Sequence, residues 1–335
     1  MDIFDCTLRD GANVVGNGFS AELTVSMIEG LLSCGINSIE FGNAKGLGAY
    51  NKLNATAPLN DEQYMDLVSP YVLRCNLGMF QLAKLISEET TALAKEKGLH
   101  FLRVGIDAGD GAKAIDAVKT VKAAGLTCRF SMMKAYLLSP TELAEEAELL
   151  QDNGVDCITI MDSAGYMMPH DTTAYVKALK ERLHIPVGFH GHNNLGLSQA
   201  NAISATLAGA DEIDCGLLGM ARSAGNCATE LTVVGLQRIG MLQHVNLLKL
   251  LSYLDADLIP RMDQYNYRPA VKPVDLILGQ CGCHSSFLNI YKEVSKEIGI
   301  SLYPLIMAVS SVNKKDPDIQ HIRAIAKSIH DQCQQ

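Results

Sequence analysis

The sequence predicts a (β/α)8 TIM barrel followed by a helical C-terminal domain, and three observations lead to this prediction. Short apolar segments alternate with amphipathic helical patterns over residues 2–219. There are eight such segments. They are nearly continuous in apolar residues, which is typical of parallel strands buried on both faces. An open doubly wound sheet is the alternative, and the count of eight favours the closed barrel.

The predicted strands and helices follow one another in a regular order. The helix patterns end in glycine, as in "SCG", "EKG" and "AAG". In the stretch 139–154, Ser139 can cap the helix start, Pro140 lies in its first turn and Gly154 can end it. The predicted strands are residues 2–7, 36–42, 72–80, 99–107, 126–134, 157–165, 186–192 and 211–219.

The alternation stops after Gly240, which predicts a domain boundary there. We assign residues 1–241 to the barrel and residues 242–335 to a helical C-terminal domain. Three stretches of the second domain have helical patterns, at 245–259, 285–299 and 317–332. No low-complexity linker separates the two domains, so we expect the C-terminal domain to pack against the barrel.

Composition and charge exclude several classes of protein. The chain of 335 residues has 28 Lys and Arg against 37 Asp and Glu, a net charge of -9, and no basic run that could follow a phosphate backbone. We therefore expect no nucleic acid partner. No apolar run reaches the roughly 20 residues of a membrane span. The ten cysteines form no CxxC pair, which favours reduced thiols and a cytoplasmic location.

Two histidines and an aspartate form a candidate metal site. Active sites of such barrels lie at the C-terminal ends of the strands. His190 and His192 are two residues apart in predicted strand 7, so they share a face, and Asp10 follows strand 1. Only strand 8 separates these strands in a closed barrel. Most single histidines are packing or surface residues, but two in register with a strand-end aspartate favour a divalent metal. Asn193 and Asn194 either orient the ligands or make the turn that leaves the strand.

Four motifs together resemble a known superfamily. They are "DCTLRDG" (5–11), "MDSAG" (161–165), "FHGHNNLG" (189–196) and "GMARSAGNCATE" (219–230). In this order they resemble the metal-dependent lyases and synthases related to hydroxymethylglutaryl-CoA lyase. The likeness is closer to the 4-hydroxy-2-oxovalerate aldolases, because residues 268–299 resemble the helical communication domain of that family.

The resemblance implies a metal centre and a substrate site. Asp10, His190 and His192 would bind Mn²⁺ or Mg²⁺, and His190 would also face the substrate. Arg9 would stabilise enolate charge, although a structural ion pair with a carboxylate is the alternative. Ser163 would help to hold the carboxylate of the 2-oxo acid, or it is only a turn hydroxyl. Two secondary candidates have simpler explanations, since Glu40 can pair with a cation and Asn226 can cap a helix.

The implied reaction is cleavage of a 4-hydroxy-2-oxo acid to pyruvate and an aldehyde, or the reverse, and here the chain departs from the family. A base must take the proton of the 4-hydroxyl group. Asn13 stands where the aldolases have a histidine, and His284 stands where they have a tyrosine. Both positions border the 4-hydroxyl group in the family, so we treat Asn13 as a substrate-binding candidate and hypothesise that His284 is the catalytic base. The alternative is that His284 only fills the space left by the tyrosine.

The resemblance also suggests partners, and other functions remain open. The small-molecule partners would be a 2-oxo acid and an aldehyde. The resemblance further implies that the protein forms a homo-oligomer and binds an acylating aldehyde dehydrogenase. A Claisen-type acyl-CoA synthase and a non-catalytic metal-binding relative are alternatives, whereas an iron-dependent oxygenase would normally have a double-stranded β fold. The glycine-rich stretch 41–51 lacks phosphate-loop spacing and is predicted to be an active-site loop.

Overall fold

Eight parallel strands close into a barrel in which each strand pairs with its sequence neighbours and β8 pairs with β1. This architecture comes from a computed structural model that describes residues 1–268, 273–281, 283, 287–313 and 317–333. The predicted TIM barrel is confirmed, and the open sheet is excluded. The strands are β1 (Asp2–Asp5), β2 (Ser38–Glu40), β3 (Asn76–Leu82), β4 (Phe101–Asp107), β5 (Thr127–Met133), β6 (Cys157–Asp162), β7 (Val187–Gly191) and β8 (Glu212–Cys215).

Helices surround the barrel and continue beyond it. Within the described ranges, no helix has the length and apolar character that crossing a membrane requires. The helices are α1 (Ala21–Cys34), α2 (Ala49–Lys52), α3 (Asp61–Val68), α4 (Glu88–Glu96), α5 (Ile115–Ala123), α6 (Pro140–Asp152), α7 (Pro169–Arg182), α8 (Ser198–Leu207), α9 (Thr229–Arg238), α10 (Leu247–Tyr253), α11 (Ile259–Met262), α12 (Pro273–Cys281), α13 (Leu288–Ile298), α14 (Leu302–Val312) and α15 (Ile319–Cys333).

Helix α6 shows how local sequence sets the ends of an element. The Ser139 hydroxyl accepts a hydrogen bond from the amide of Glu142 at 3.3 Å, and the Glu142 carboxylate accepts one from the amide of Ser139 at 2.8 Å. Pro140 occupies the first turn, where its missing amide hydrogen is not needed. Gly154 follows the helix with a φ of 103°, a conformation that favours glycine. The predicted start and end of this helix are confirmed.

Strand β3 begins later than the apolar pattern predicts. The apolar pattern predicts a strand at residues 72–80, but the strand is Asn76–Leu82. Residues 72–75 instead follow a short 3-10 turn at Ser69–Tyr71, and Leu73 in this segment is 97% exposed. An apolar run therefore marks the strand here, but not its first residue.

The C-terminal helices pack against the outside of the barrel. Helix α10 continues through a π-helical turn, Leu254–Leu258, into α11. The ring of Tyr253 lies so close to Gly30 of α1 that a Cβ atom there would be 2.5 Å from it. Ser26 of α1 also donates a hydrogen bond to Asp257 at 2.5 Å. The contact with the barrel agrees with the prediction, while the domain boundary at 241 stays a prediction. Helices α12 and α14 were not predicted.

Candidate metal centre

A network of buried charges fills the barrel just beneath the mouth. The Arg103 guanidinium lies 2.6 Å from a carboxylate oxygen of Asp214 and 3.6 Å from one of Glu40. Glu40 in turn accepts a hydrogen bond of 2.5 Å from Nε of Arg9. None of the four side chains is more than 6% exposed. Two positive and two negative charges balance one another, so removing one member would leave an uncompensated buried charge.

Asp10, His190 and His192 come together above this network. Oδ2 of Asp10 lies 3.6 Å from Nε2 of His190 and 3.9 Å from Nε2 of His192. One ligand atom from each residue lies within 4.8 Å of the others, and all three residues are buried. The structure therefore brings together the three residues that the sequence singled out as a metal site.

Asp214 orients the first of the two histidines. Its Oδ2 lies 3.0 Å from Nδ1 of His190, and in the strand register Asp214 is the partner of His190. A proton on Nδ1 leaves the lone pair of Nε2 directed at Asp10. Within the described part of the chain, this buried Nε2 has no hydrogen-bond partner. Asp214 was not among the predicted site residues, because only the register of β8 against β7 places it beside His190.

The protonation states of His192 and Asp10 are those that bind a cation. Burial, together with the charge of His190, lowers the pKa of His192 to about 4, so its imidazole is neutral near pH 7. Burial alone would raise the pKa of Asp10, but Arg9 and the two histidines hold that pKa well below its usual range. A neutral imidazole and an ionised carboxylate are the forms that bind metal.

Asn226 holds the Asp10 carboxylate in place. Its side-chain amide donates a hydrogen bond of 2.8 Å to Oδ2 of Asp10, and the residue is 3% exposed. The prediction that Asn226 caps a helix is wrong, because α9 begins at Thr229 and Ala228 precedes it. The carboxylate oxygens, imidazole nitrogens and unpartnered Nε2 of His190 together fit a hard divalent cation.

Cys6, His190 and Asp214 form a second group with metal-binding atoms, but they are less suited to a cation. Burial raises the pKa of the Cys6 thiol well above its usual value, so the thiolate that a metal needs is disfavoured. The thiol instead donates to the carbonyl of Cys215 at 3.1 Å. Asp214 is already paired with Arg103. The group that contains Asp10 is therefore the better candidate.

Arg9 contacts two carboxylates through two of its guanidinium nitrogens, and its third nitrogen has no partner among the described residues. Nε contacts Glu40 at 2.5 Å, and Nη1 lies 3.0 Å from Oδ1 of Asp10. Nη2 is buried and has no hydrogen-bond partner among the described residues. The ring of Phe80 stacks against the guanidinium at 4.8 Å. The structural ion pair and the capacity to bind a substrate oxygen are therefore compatible in the same side chain.

A cavity of about 460 Å³ opens above these residues, and its walls include Asn13 and Ser163. The Asn13 amide donates to the carbonyl of Asp10 at 2.8 Å and to its carboxylate at 3.3 Å. The Ser163 hydroxyl accepts a hydrogen bond of 2.9 Å from the amide of Lys134, as a turn hydroxyl would. His284, the predicted base, lies outside the described residues.

The two asparagines after His192 make the turn rather than orient the ligands. Oδ1 of Asn193 accepts a hydrogen bond of 2.8 Å from the hydroxyl of Ser198, the first residue of α8. The side-chain amide of Asn194 donates one of 2.7 Å to Ser223 in the loop after β8. The orienting contacts come instead from Asp214 and Asn226.

Comparison with known proteins finds relatives over most of this chain. The HMGL-like family model matches residues 103–256. A 4-hydroxy-2-oxovalerate aldolase of Desulfitobacterium hafniense is 31% identical over 92% of each chain. A 4-hydroxy-2-oxovalerate aldolase of Carboxydothermus hydrogenoformans is 33% identical over 85% of this chain and 84% of its own.

Solved structures share the fold. The N-terminal domain of a putative aldolase from Bacteroides vulgatus superposes with a TM-score of 0.66 at 23% identity, covering 80% of this chain and 89% of that one. The hydroxymethylglutaryl-CoA lyase of Pseudomonas aeruginosa gives 0.67 at 15% identity, covering 83% and 97%. Since relatives at 30% identity or more span most of both chains, this chain belongs to the family of the 4-hydroxy-2-oxovalerate aldolases, which are carbon–carbon lyases of the HMGL-like group.

Proposed function

We propose that the protein is a divalent-metal-dependent aldolase that cleaves a 4-hydroxy-2-oxo acid into pyruvate and an aldehyde, and forms it in reverse. Asp10, His190 and His192 are the proposed metal ligands, and Mn²⁺ or Mg²⁺ is the proposed ion. The observation that carries the proposal is the placement of Nη2 of Arg9. This nitrogen is buried without a hydrogen-bond partner among the described residues, and Arg9 lines the same cavity as the three ligands.

Cleavage of the bond between C3 and C4 of the substrate places negative charge on the 2-oxo oxygen as the pyruvate enolate forms. A divalent cation bound at this site would supply Lewis-acid stabilisation of that charge. Arg9 would donate from Nη2 to the same oxygen, and its other two nitrogens fix its orientation through Glu40 and Asp10. A donor fixed in advance stabilises charge that develops only in the transition state.

The carboxylate of the 2-oxo acid is proposed to lie near Ser163, at the end of β6. The Ser163 hydroxyl accepts the amide of Lys134, so its own proton is free to be donated toward the carboxylate. The side chain lines the cavity together with Arg9 and His190. This arrangement supports a role in substrate binding for the hydroxyl, in addition to its place in the turn.

The base that removes the proton of the 4-hydroxyl group is proposed to be His284. Asn13 cannot accept a proton at neutral pH, and its amide is engaged by Asp10. Asn13 therefore remains a candidate for substrate binding only. His284→Ala should lower the rate of cleavage by roughly 10²- to 10⁴-fold. An unchanged rate would remove His284 from the mechanism.

Pyruvate release tests the proposal directly. The chelator-treated protein is reloaded with Mn²⁺ or Mg²⁺ and incubated with 4-hydroxy-2-oxovalerate and longer 4-hydroxy-2-oxo acids, and pyruvate is measured with lactate dehydrogenase. We expect pyruvate from at least one substrate with metal and none after chelation. Thiol release from acetyl-CoA without any aldolase activity would instead support a Claisen-type synthase.

An acylating aldehyde dehydrogenase and a homo-oligomeric assembly are further parts of the proposal. The aldehyde product is reactive, so a partner that oxidises it would limit its escape. Co-purification of the two proteins tests the first part, and light scattering of the purified protein tests the second. A monomer that retains no dehydrogenase would refute both.

A further inference from the structure

The cavity carries more positive charge than a simple 2-oxo acid requires. Its lining includes four cationic side chains, Arg9, Lys45, Lys134 and Arg222, and two carboxylates, Asp10 and Asp107. The protein as a whole has a net charge of -9, so its composition does not explain this excess. A cleft with a net excess of one sign attracts ligands of the opposite sign.

Two of these cations are already neutralised. Arg9 is paired with Asp10 and Glu40 on the cavity floor. Lys134 forms an ion pair of 2.7 Å with Asp107 at the rim.

Lys45 and Arg222 differ from Arg9 and Lys134 because they have no carboxylate partner among the described residues. Across the part of the chain that the structure describes, neither side chain forms an ion pair or a hydrogen bond with protein. Both are solvent-exposed residues of the cavity lining, and each adds a positive charge that no protein carboxylate pairs with.

Two loops present these side chains on either side of β1. Lys45 lies in the loop after β2, where its amide donates to Asn43 at 3.0 Å and the Asn43 side chain donates to the carbonyl of Ala55 at 2.6 Å. Arg222 lies in the loop after β8, where its carbonyl accepts the amide of Gly225 at 3.1 Å. Because β8, β1 and β2 are adjacent, the two cations flank the strand that leads to Arg9 and Asp10.

The proposed contact for the 2-oxo acid end of the substrate lies across the barrel from Lys45. Ser163, the proposed contact for the 2-oxo acid carboxylate, follows β6, which lies across the closed barrel from β2. The aldehyde half of the substrate would then extend across the cavity toward β2 and Lys45, with Arg222, in the loop after β8, to one side of this path.

We infer that the aldehyde half of the substrate carries an anionic group, a carboxylate or a phosphate, which Lys45 and Arg222 bind. This inference rests on the proposed aldolase function and deepens it, because it names the class of aldehyde. Arg222 presents a planar donor pair suited to either anion, and Lys45 adds a compact charge. A neutral aldehyde such as acetaldehyde would leave both cations unused.

The test compares three substrates in one assay of pyruvate release. They are 4-hydroxy-2-oxo acids with a terminal methyl, a terminal carboxylate or a terminal phosphate. We expect the wild-type protein to prefer one of the two anionic substrates in kcat/KM, and the preferred anion identifies the group. Arg222→Gln and Lys45→Gln should each lower kcat/KM for that substrate about tenfold, mainly through KM, and leave the methyl substrate within about twofold. Arg222→Lys should recover part of the loss.

Lys177→Gln supplies the matched control, because it removes one positive charge from the outer helix α7 and should change neither activity. Equal losses on the neutral and anionic substrates, or a wild-type preference for the methyl substrate, would overturn the inference and leave the aldolase function standing. No pyruvate from any of the three substrates would refute the proposed function itself.

Discussion

Replacing Arg9 with lysine separates the structural role of this residue from its proposed catalytic role. The arginine contacts Glu40 at 2.5 Å and Asp10 at 3.0 Å through two nitrogens, and its third nitrogen is buried without a partner among the described residues. Lysine keeps the positive charge but has a single nitrogen, so it cannot satisfy both carboxylates and also reach the substrate. The change therefore removes a donor without leaving the buried carboxylates uncompensated.

The expected loss of kcat assumes that the other contacts of Glu40 and Asp10 remain in the lysine variant. Glu40 keeps Arg103 at 3.6 Å, and Asp10 keeps the amide of Asn226 at 2.8 Å, so folding should survive. The loss of one donor aimed at developing oxyanion charge costs about 10²- to 10³-fold in kcat, or roughly 3–4 kcal/mol. KM should change much less, because the interaction is made mainly in the transition state.

The assay is steady-state pyruvate release by Mn²⁺-loaded protein, with circular dichroism and Mn²⁺ calorimetry as checks of folding and metal binding. Arg74→Lys is the matched control, since Arg74 is exposed and pairs with Glu29 outside the cavity lining; it should keep full activity. A kcat for Arg9→Lys within a factor of three of wild type, with metal bound, would refute the oxyanion role of Arg9.

Three further outcomes test other parts of the account. Asp214→Asn removes the carboxylate that His190 shares with Arg103 and should weaken Mn²⁺ binding roughly tenfold by calorimetry of the variant that circular dichroism shows to be folded; an unchanged affinity would contradict the orienting role. Burial raises the pKa of Glu230 to about 7 from an ordinary 4.5, so the fold binds a proton more tightly than the unfolded chain does, and stability falls as pH rises between these values. Glu230→Gln should therefore match wild type near pH 4.5 and exceed it by about 3 kcal/mol at pH 8 in urea unfolding; equal stability at pH 8 would show that this carboxylate ionises without cost. Gly165→Ala should lower the free energy of unfolding by at least about 2 kcal/mol, because φ is 58° and the new Cβ would lie 2.6 Å from a backbone oxygen. Gly196→Ala is the control and should lower it clearly less, because φ is 73° there but no atom lies within 4 Å of the new Cβ. Equal losses of stability in the two variants would contradict the steric argument.

The barrel could be predicted from the sequence because parallel strands buried on both faces are nearly continuous runs of apolar residues. All eight strands lie within or overlap their predicted segments, since each is a short apolar run between helical patterns. The error at the start of β3 has a simple physical cause. The segment from Val72 to Cys75 is as apolar as the strand, but it turns outward and exposes Leu73.

The residues that support the site were harder to predict than the proposed ligands. His190 and His192 are marked by their spacing in one strand, and Asp10 by its place at a strand end. Asp214 is one of two acidic residues in an ordinary strand, and only the register with β7 reveals its contact with His190. Asn226 precedes a helix, which suggested a cap, but the loop after β8 turns its amide toward Asp10 instead. Such contacts depend on tertiary geometry that single-sequence patterns do not carry.

Uptake of Mn²⁺ tests the proposed metal centre most directly. The chelator-stripped protein is titrated by calorimetry next to His192→Ala, which removes one proposed ligand and leaves the buried charge network of Arg103, Glu40 and Asp214 intact. We predict one ion per wild-type chain and an affinity at least about tenfold weaker in the variant. No heat from the wild-type protein, or equal affinity in both proteins, would contradict the assignment.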